Sequence, residues 1–198
     1  MLITHNMKNK KLLLGIAWAW LTCLSANAEV KLPAFFSDGM VMQQQTRANL
    51  WGTATPNAPV KITTSWDKQT YKTIADAKGA WKLALSTPSA GGPYTITFDD
   101  GKLTEIRDIL MGELWLCSGQ SNMEMPMKGF KNQPVENSNT DVMNSRNPQL
   151  RLFTVKRSSS FTPKTDVVGT WQEAVPATVR EFSATAYYFG RMIQQQLN

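Results

Sequence analysis

Histidine is almost absent from this sequence. Its 198 residues hold one, His5, which lies in an N-terminal segment that reads as an export signal. Beyond that segment no Ser-His or Ser-His-Asp arrangement can be assembled. Cysteine is nearly as scarce, with Cys23 in the same segment and Cys117 alone beyond it, so no internal disulfide is expected. The sequence Leu114-Trp115-Leu116-Cys117 reads as a buried strand, which makes Cys117 a small apolar core residue rather than a reactive thiol. A clustered basic stripe is also missing, which argues against a nucleic-acid partner. No apolar run beyond residue 28 approaches the roughly 20 residues a membrane-spanning helix needs. Otherwise the composition is that of an ordinary globular protein, with 42% hydrophobic and 18% charged residues.

What the N-terminus does contain is specific. Lys8, Lys10 and Lys11 form a positive region, Leu12 to Leu24 is uncharged and apolar, and Ala26-Asn27-Ala28 offers small residues for cleavage. Residues 1–28 are therefore expected to be a signal peptide cleaved after Ala28, with a periplasmic or secreted product that has no stable membrane association. An uncleaved anchor is the alternative, disfavoured by the length of the run. A lipoprotein reading through Cys23 is disfavoured by Thr22 before it. Removing the segment leaves 18 basic and 15 acidic residues, a net charge of +3, so most of the apparent basicity belongs to export.

Residues 29–108 alternate with period two. Val60, Ile62, Thr64 and Trp66 form one series, Trp81, Leu83 and Leu85 a second, and Tyr94, Ile96 and Phe98 a third. Turn formers separate them at Asp67-Lys68-Gln69, Asp76-Ala77-Lys78-Gly79 and Asp99-Asp100-Gly101. Short strands at about ten-residue spacing without helices predict an antiparallel β-sandwich or open barrel. Trp51, Trp66 and Trp81 could form a sugar-stacking platform, but Trp66 and Trp81 fall in phase with apolar faces, which favours core packing.

The rhythm changes over residues 109–198. Ile109 to Cys117 is nearly continuous in apolar content, as in a parallel strand covered on both faces. Leu150 to Val155 reads as another strand, Lys156 to Val168 as a loop, and Glu181 to Leu197 as a helix with Phe182, Ala186, Phe189 and Ile193 on one face. This is the opening of an α/β domain without its completion.

The expected strand over Ile109 to Cys117 is broken by Gly119-Gln120-Ser121-Asn122. A serine lifted from the carboxyl end of a buried strand by a glycine turn has the placement a nucleophile needs, with its own N–H available to a developing oxyanion. Ser118-Gly119 would let the backbone turn sharply. The motif is not the Gly-x-Ser-x-Gly elbow, because Met123 stands where the second glycine would be. Spacing alone thus leaves Ser121 between a nucleophile and an ordinary loop serine. Met123, Met125 and Met127 could line an acyl pocket or fill a core.

The block Gly112-Glu113-Leu114-Trp115-Leu116-Cys117-Ser118-Gly119-Gln120-Ser121-Asn122-Met123-Glu124-Met125-Pro126 resembles the first block of the sialate O-acetylesterase family of SGNH, or GDSL-like, hydrolases. Residues 32–43, Leu-Pro-Ala-Phe-Phe-Ser-Asp-Gly-Met-Val-Met-Gln, are similar to the opening strands of those enzymes. Residues 182–190, Phe-Ser-Ala-Thr-Ala-Tyr-Tyr-Phe-Gly, resemble the helix after the nucleophile block. The resemblance implies a β-sandwich followed by part of an SGNH, flavodoxin-like α/β domain. It implies that Ser121 attacks an O-acetyl ester of a sialic acid or another acetylated glycan, with Gln120 and Asn122 in positioning or oxyanion roles and no metal or organic cofactor. Acetylxylan is the same-class alternative substrate. A sugar-binding sandwich carrying a decayed hydrolase segment is the different-class one. In the family the catalytic His, its Asp and further oxyanion donors come later in the sequence. Glu113 and Glu124 lie near Ser121, but a carboxylate with a pKa of about 4.3 is too weak a base to replace the imidazole. The 198-residue chain is therefore expected to be an inactive fragment.

Overall fold

A computed structural model describes residues 29–197. The predicted signal peptide and His5 lie outside the described residues. Among the described residues no helix is long and apolar enough to cross a membrane.

Seven strands come first: β1 (Val41–Gln43), β2 (Arg47–Thr53), β3 (Pro59–Thr64), β4 (Thr70–Ile74), β5 (Ala80–Ser86), β6 (Gly91–Asp99) and β7 (Leu103–Gly112). Five of them make a mixed sheet in the order β1-β7-β6-β3-β4, parallel at β1–β7 and antiparallel elsewhere. Strands β2 and β5 pair antiparallel as a separate two-stranded sheet. The two sheets share one core. Val60, Ile62, Ile96 and Phe98 come from the larger sheet, Leu50, Trp81 and Leu85 from the smaller, all at most 4% exposed. At roughly 1.5–3 kcal/mol for each fully buried large apolar side chain, this alternation alone is enough to fix strand register.

All three expected alternating series contribute to this core, and the three expected turns connect strands. Trp66 departs from the pattern: it lies just past the end of β3, half-buried, and its indole N–H donates to the Ser86 carbonyl at 3.1 Å. Trp81 is buried in the core and Trp51 is half-buried, so the three indoles form no exposed platform.

Strand β7 crosses residue 108, where the sequence rhythm predicts a break. Ile106, Ile109 and Met111 are buried, and the step of three instead of two marks a bulge. Tyr94 and Ile96 on β6 face Ile109 and Ile106, so β7 carries one extra residue. Asp108 absorbs it with a left-handed φ of 56°, a conformation aspartate tolerates better than most residues.

The expected two-face burial of Ile109 to Cys117 does not hold. Ile109 and Met111 point into the sheet core as one face of β7, and the strand ends at Gly112. Residues 113–119 belong to no helix or strand and are exposed, with Leu116 at 90% and Trp115 at 54% exposure, and Cys117 is exposed too. The physical reason is the lack of a neighbouring strand: among the described residues nothing pairs with this segment.

The remaining elements are α1 (Ser121–Glu124), α2 (Ser138–Met143), β8 (Asn147–Phe153), β9 (Trp171–Ala174), α3 (Pro176–Glu181) and α4 (Ala184–Leu197). Strand β8 matches the predicted Leu150 to Val155 strand with a shift toward its start, and residues 156–168 form the predicted loop. Strand β9 has no counterpart in the sequence reading; it pairs antiparallel with β8, so no parallel sheet forms in this half of the described residues. The predicted helix from Glu181 begins at Ala184, because Phe182 is extended at the end of α3. Its buried face is Ala184, Ala186 and Tyr187. Phe189 is 37% exposed. A second, smaller core of Met127, Leu152, Ala174, Val179, Ala184 and Tyr187 joins these elements.

Candidate functional site

Ser121 opens α1 at the end of the irregular segment that leaves β7. Its side chain is exposed, and it lines an open cleft of about 1710 Å³ between the two cores. Leu114 and Trp115 form one wall of that cleft, with Glu124, Arg157 and Phe189 also on its lining. Trp115 meets Phe189 edge-on, with ring centroids 5.1 Å apart at 85°, so the segment leans on α4.

The turn into α1 differs from the expected one. Gly119 does not adopt a left-handed φ. What glycine supplies is room, since a Cβ there would stand 3.2 Å from Met123 Cβ, tighter than ordinary contact. Gln120 caps α1 at φ −112° and ψ −146°, without a side-chain hydrogen bond to the helix. Its carbonyl accepts from the Met123 and Glu124 amides at 3.0 Å each. The Ser121 hydroxyl and N–H have no hydrogen-bond partner among the described residues.

Several contacts fix α1 in place. The Asn122 carbonyl accepts from Thr185 Oγ at 3.1 Å, and Ser183 Oγ donates to Met123 Sδ at 3.5 Å. The Ala184 amide donates to Met125 O at 2.9 Å and the Met127 amide to Phe182 O at 2.9 Å. Asn122 thus contributes through its backbone, and its side chain is exposed. Met127 is fully buried in the second core, whereas Met123 lines the cleft. Core filling, one of the two roles foreseen for the methionines, is what Met127 does.

The nearby carboxylates are committed elsewhere. Glu124 accepts from Arg157 at 3.2 and 3.4 Å, an exposed pair. Glu113 accepts from the Gln44 and Gln43 side chains, and these two bonds hold its carboxyl below the ordinary 4.5. A lowered pKa makes a weaker base still. Among the described residues no group of His, Cys, Asp or Glu could hold a metal ion.

Sequence reasoning missed Arg151 and Arg157. Arg151 had a signal, a charge inside the apolar series of β8. Its guanidinium is 5% exposed and ties β8 to the first core. Arg157, in a polar loop, had none.

By fold, the chain is similar to a carbohydrate acetylesterase from Xanthomonas citri, with a TM-score of 0.79 and 33% identity over 85% of this chain and 38% of that one. Its sequence relatives narrow the class. Sialate O-acetylesterases of Pongo abelii and Homo sapiens are each 28% identical over 191 residues, 87% of this chain and 36% of theirs. That of Rattus norvegicus is 28% identical over 185 residues, 84% of this chain and 33% of its own. No family model matches the chain. The chain spans about a third of the length of the curated relatives it matches. Over that span, its resemblance to the sialate O-acetylesterase family holds in sequence and to a carbohydrate acetylesterase in fold.

Proposed function

We propose that this chain carries the nucleophile of a carbohydrate O-acetyl ester hydrolase, with Ser121 as that nucleophile and an O-acetylated sialic acid as the leading substrate. The observation that carries the reading is an exposed serine, free of hydrogen-bond partners among the described residues, at the lip of a cleft and inside the block that resembles the acetylesterases. In this reading residues 29–112 are a supporting β-sandwich, and the segment from Glu113 onward opens an SGNH-type α/β domain. Ser121 Oγ attacks the acetyl carbonyl carbon while a general base takes its proton. The C–O bond to the sugar breaks, and that oxygen leaves protonated. Water then attacks the acetyl-enzyme and releases acetate. The Ser121 N–H is one oxyanion donor. Gln120 and Asn122 hold positioning roles, Asn122 through its carbonyl on α4. The reading needs no cofactor. In the same reading residues 1–28 are an export signal and the product acts outside the cytoplasm.

No residue from 29 to 198 is a histidine, so the base comes from a segment outside this sequence. The test is acetate release by a protein that joins this chain to the later segments its relatives possess. O-acetylated sialoglycoprotein and acetylated xylan separate the two substrate classes. Ser121→Ala is expected to remove activity on either, and a variant that kept its rate would overturn the nucleophile assignment. A binding isotherm for deacetylated glycan with no turnover would favour the sugar-binding alternative.

A further inference from the structure

The segment that delivers Ser121 leaves the first core at one point, and that point is closed by three polar side chains the reaction does not use. Gln43 ends β1 opposite Gly112 at the end of β7, and the Gln44 amide donates to Gly112 O at 2.9 Å. Glu113 is the first residue beyond the sheet. Its two carboxylate oxygens are divided between the glutamines: Gln43 Nε2 donates to Oε2 at 3.1 Å and Gln44 Nε2 to Oε1 at 2.9 Å. The other end of each amide is used as well. Gln43 Oε1 accepts from the Leu114 N–H at 2.9 Å, and Gln44 Oε1 accepts from the Ala90 N–H at 2.8 Å. The two backbone donors fix which end of each amide is oxygen, since only an oxygen can accept from them. Both NH2 groups must then face Glu113, and an ionised carboxylate, an acceptor at both oxygens, suits the two bonds best.

A carboxylate at an exposed surface gains little from two neutral amides, and a segment with no strand partner has no ladder to direct it. The ring formed by Gln43, Glu113 and the Leu114 N–H supplies that direction, seven residues before Ser121. We propose that Gln43, Gln44 and Glu113 form a positioning clamp that sets the exit angle of residues 114–120 and so places Ser121 on the lip of the cleft. The proposal rests on the reading of Ser121 as nucleophile. None of the three touches the reacting atoms; they act through the backbone of Leu114.

Cys117 provides a reporter inside the directed segment, exposed and three residues beyond Leu114. The experiment uses the 198-residue chain in a Cys23→Ser background with a nitroxide on Cys117, together with amide exchange by NMR. In Glu113→Gln, one glutamine NH2 group loses its acceptor. The Leu114 N–H should then exchange about tenfold faster, the scale of one net hydrogen bond, and the nitroxide spectrum should narrow. The Ile109 amide, inside β7, should keep its protection. In the parent chain the same loosening should set in as the pH falls below the ordinary carboxyl range, because the carboxylate is the ionisable member of the ring. In Glu113→Gln the nitroxide spectrum should be independent of pH there. Unchanged Leu114 exchange in both Glu113→Gln and Gln43→Ala, or a pH profile identical in parent and variant, would overturn the clamp. Ser121→Ala is expected to leave these readouts alone and bears only on the nucleophile. In an active, longer protein Glu113→Gln should lower kcat with KM little changed, and a normal kcat would remove the positioning role even if the segment loosens.

Discussion

Arg151 and Asp108 grip each other across the junction of the two cores, with Nη1 2.6 Å from Oδ2 and Nη2 3.1 Å from Oδ1. Arg151 Nη1 also reaches the Gly39 carbonyl at 3.3 Å, and Nε donates to Pro148 O at 2.8 Å. The guanidinium is almost fully enclosed while Asp108 is about half exposed. A forked donor of this kind suits a planar carboxylate, which a lysine at 151 could not reproduce. Asp108 is also the bulge residue of β7, so one side chain stabilises both an unusual backbone and a contact between cores. Replacing Asp108 with Ala would leave a buried guanidinium partly unpaired, although Glu173 stands 3.7 Å away. The expected loss is about 2 kcal/mol, discounted from a fully buried pair because Asp108 is wetted. Urea unfolding of Asp108→Ala and Asp108→Asn would measure it, the second variant separating charge from bulge geometry.

Catalysis by the 198-residue chain alone should be undetectable. In a serine hydrolase the loss of the histidine costs on the order of 10⁶ in turnover, and residues 29–198 hold none. Acetate release from O-acetylated sialic acid should match the buffer rate and be the same for Ser121→Ala. A rate that exceeded buffer and vanished in Ser121→Ala would mean that another group serves as base.

Tyr188, Asp141 and Arg191 form a polar brace between α2 and α4. Tyr188 donates to Asp141 Oδ2 at 2.7 Å and Arg191 to Oδ1 at 2.8 Å, while Arg191 lies 5.0 Å from the Tyr188 ring centroid. Burial, then Asp141, pushes the Tyr188 phenol up to about 12. The bond from Arg191, then that from Tyr188, holds Asp141 below its ordinary 3.8. A carboxyl with a depressed folded pKa stabilises above its unfolded value and loses that contribution as the pH falls through its folded one. The brace should therefore weaken in acid, as Asp141 takes up a proton, and again in strong alkali, as the pH rises above the ordinary tyrosine value of 10 toward the folded value of about 12. Asp141→Asn should flatten the acid limb of the stability profile, and Tyr188→Phe should cost about 1 kcal/mol at neutral pH. Thermal melts from pH 7 downward would check both.

Leu116 stands on the segment between β7 and α1 at 90% exposure, beside Leu114 and Trp115. A side chain with so little contact contributes little to folding, yet an apolar run on an unpaired segment invites association. Leu116→Lys should leave the melting temperature within a few degrees, since exposed substitutions shift stability by roughly half a kcal/mol or less. It should also raise the concentration at which light scattering begins. A large drop in melting temperature would show that Leu116 is packed.

Local pattern settled much of this protein. The alternation of Val60 and Ile62, of Trp81 and Leu85, and of Ile96 and Phe98 decided which faces are buried, because a one-residue slip would expose every one of them. The turn residues between them, the loop after β8 and the existence of α4 were legible for the same local reasons, and the block around Ser121 carried its resemblance in order and composition. Tertiary structure decided what depends on neighbours distant in sequence. Whether Leu114 to Cys117 is buried turns on a partner strand, and none lies among the described residues, so a run that reads as core stands in solvent. Asp108, the bulge residue of β7, finds its partner in Arg151, 43 residues away, which no local pattern names. The direction taken by the segment bearing Ser121 depended on Gln43 and Gln44, whose amides meet Glu113 only after β1 has paired with β7.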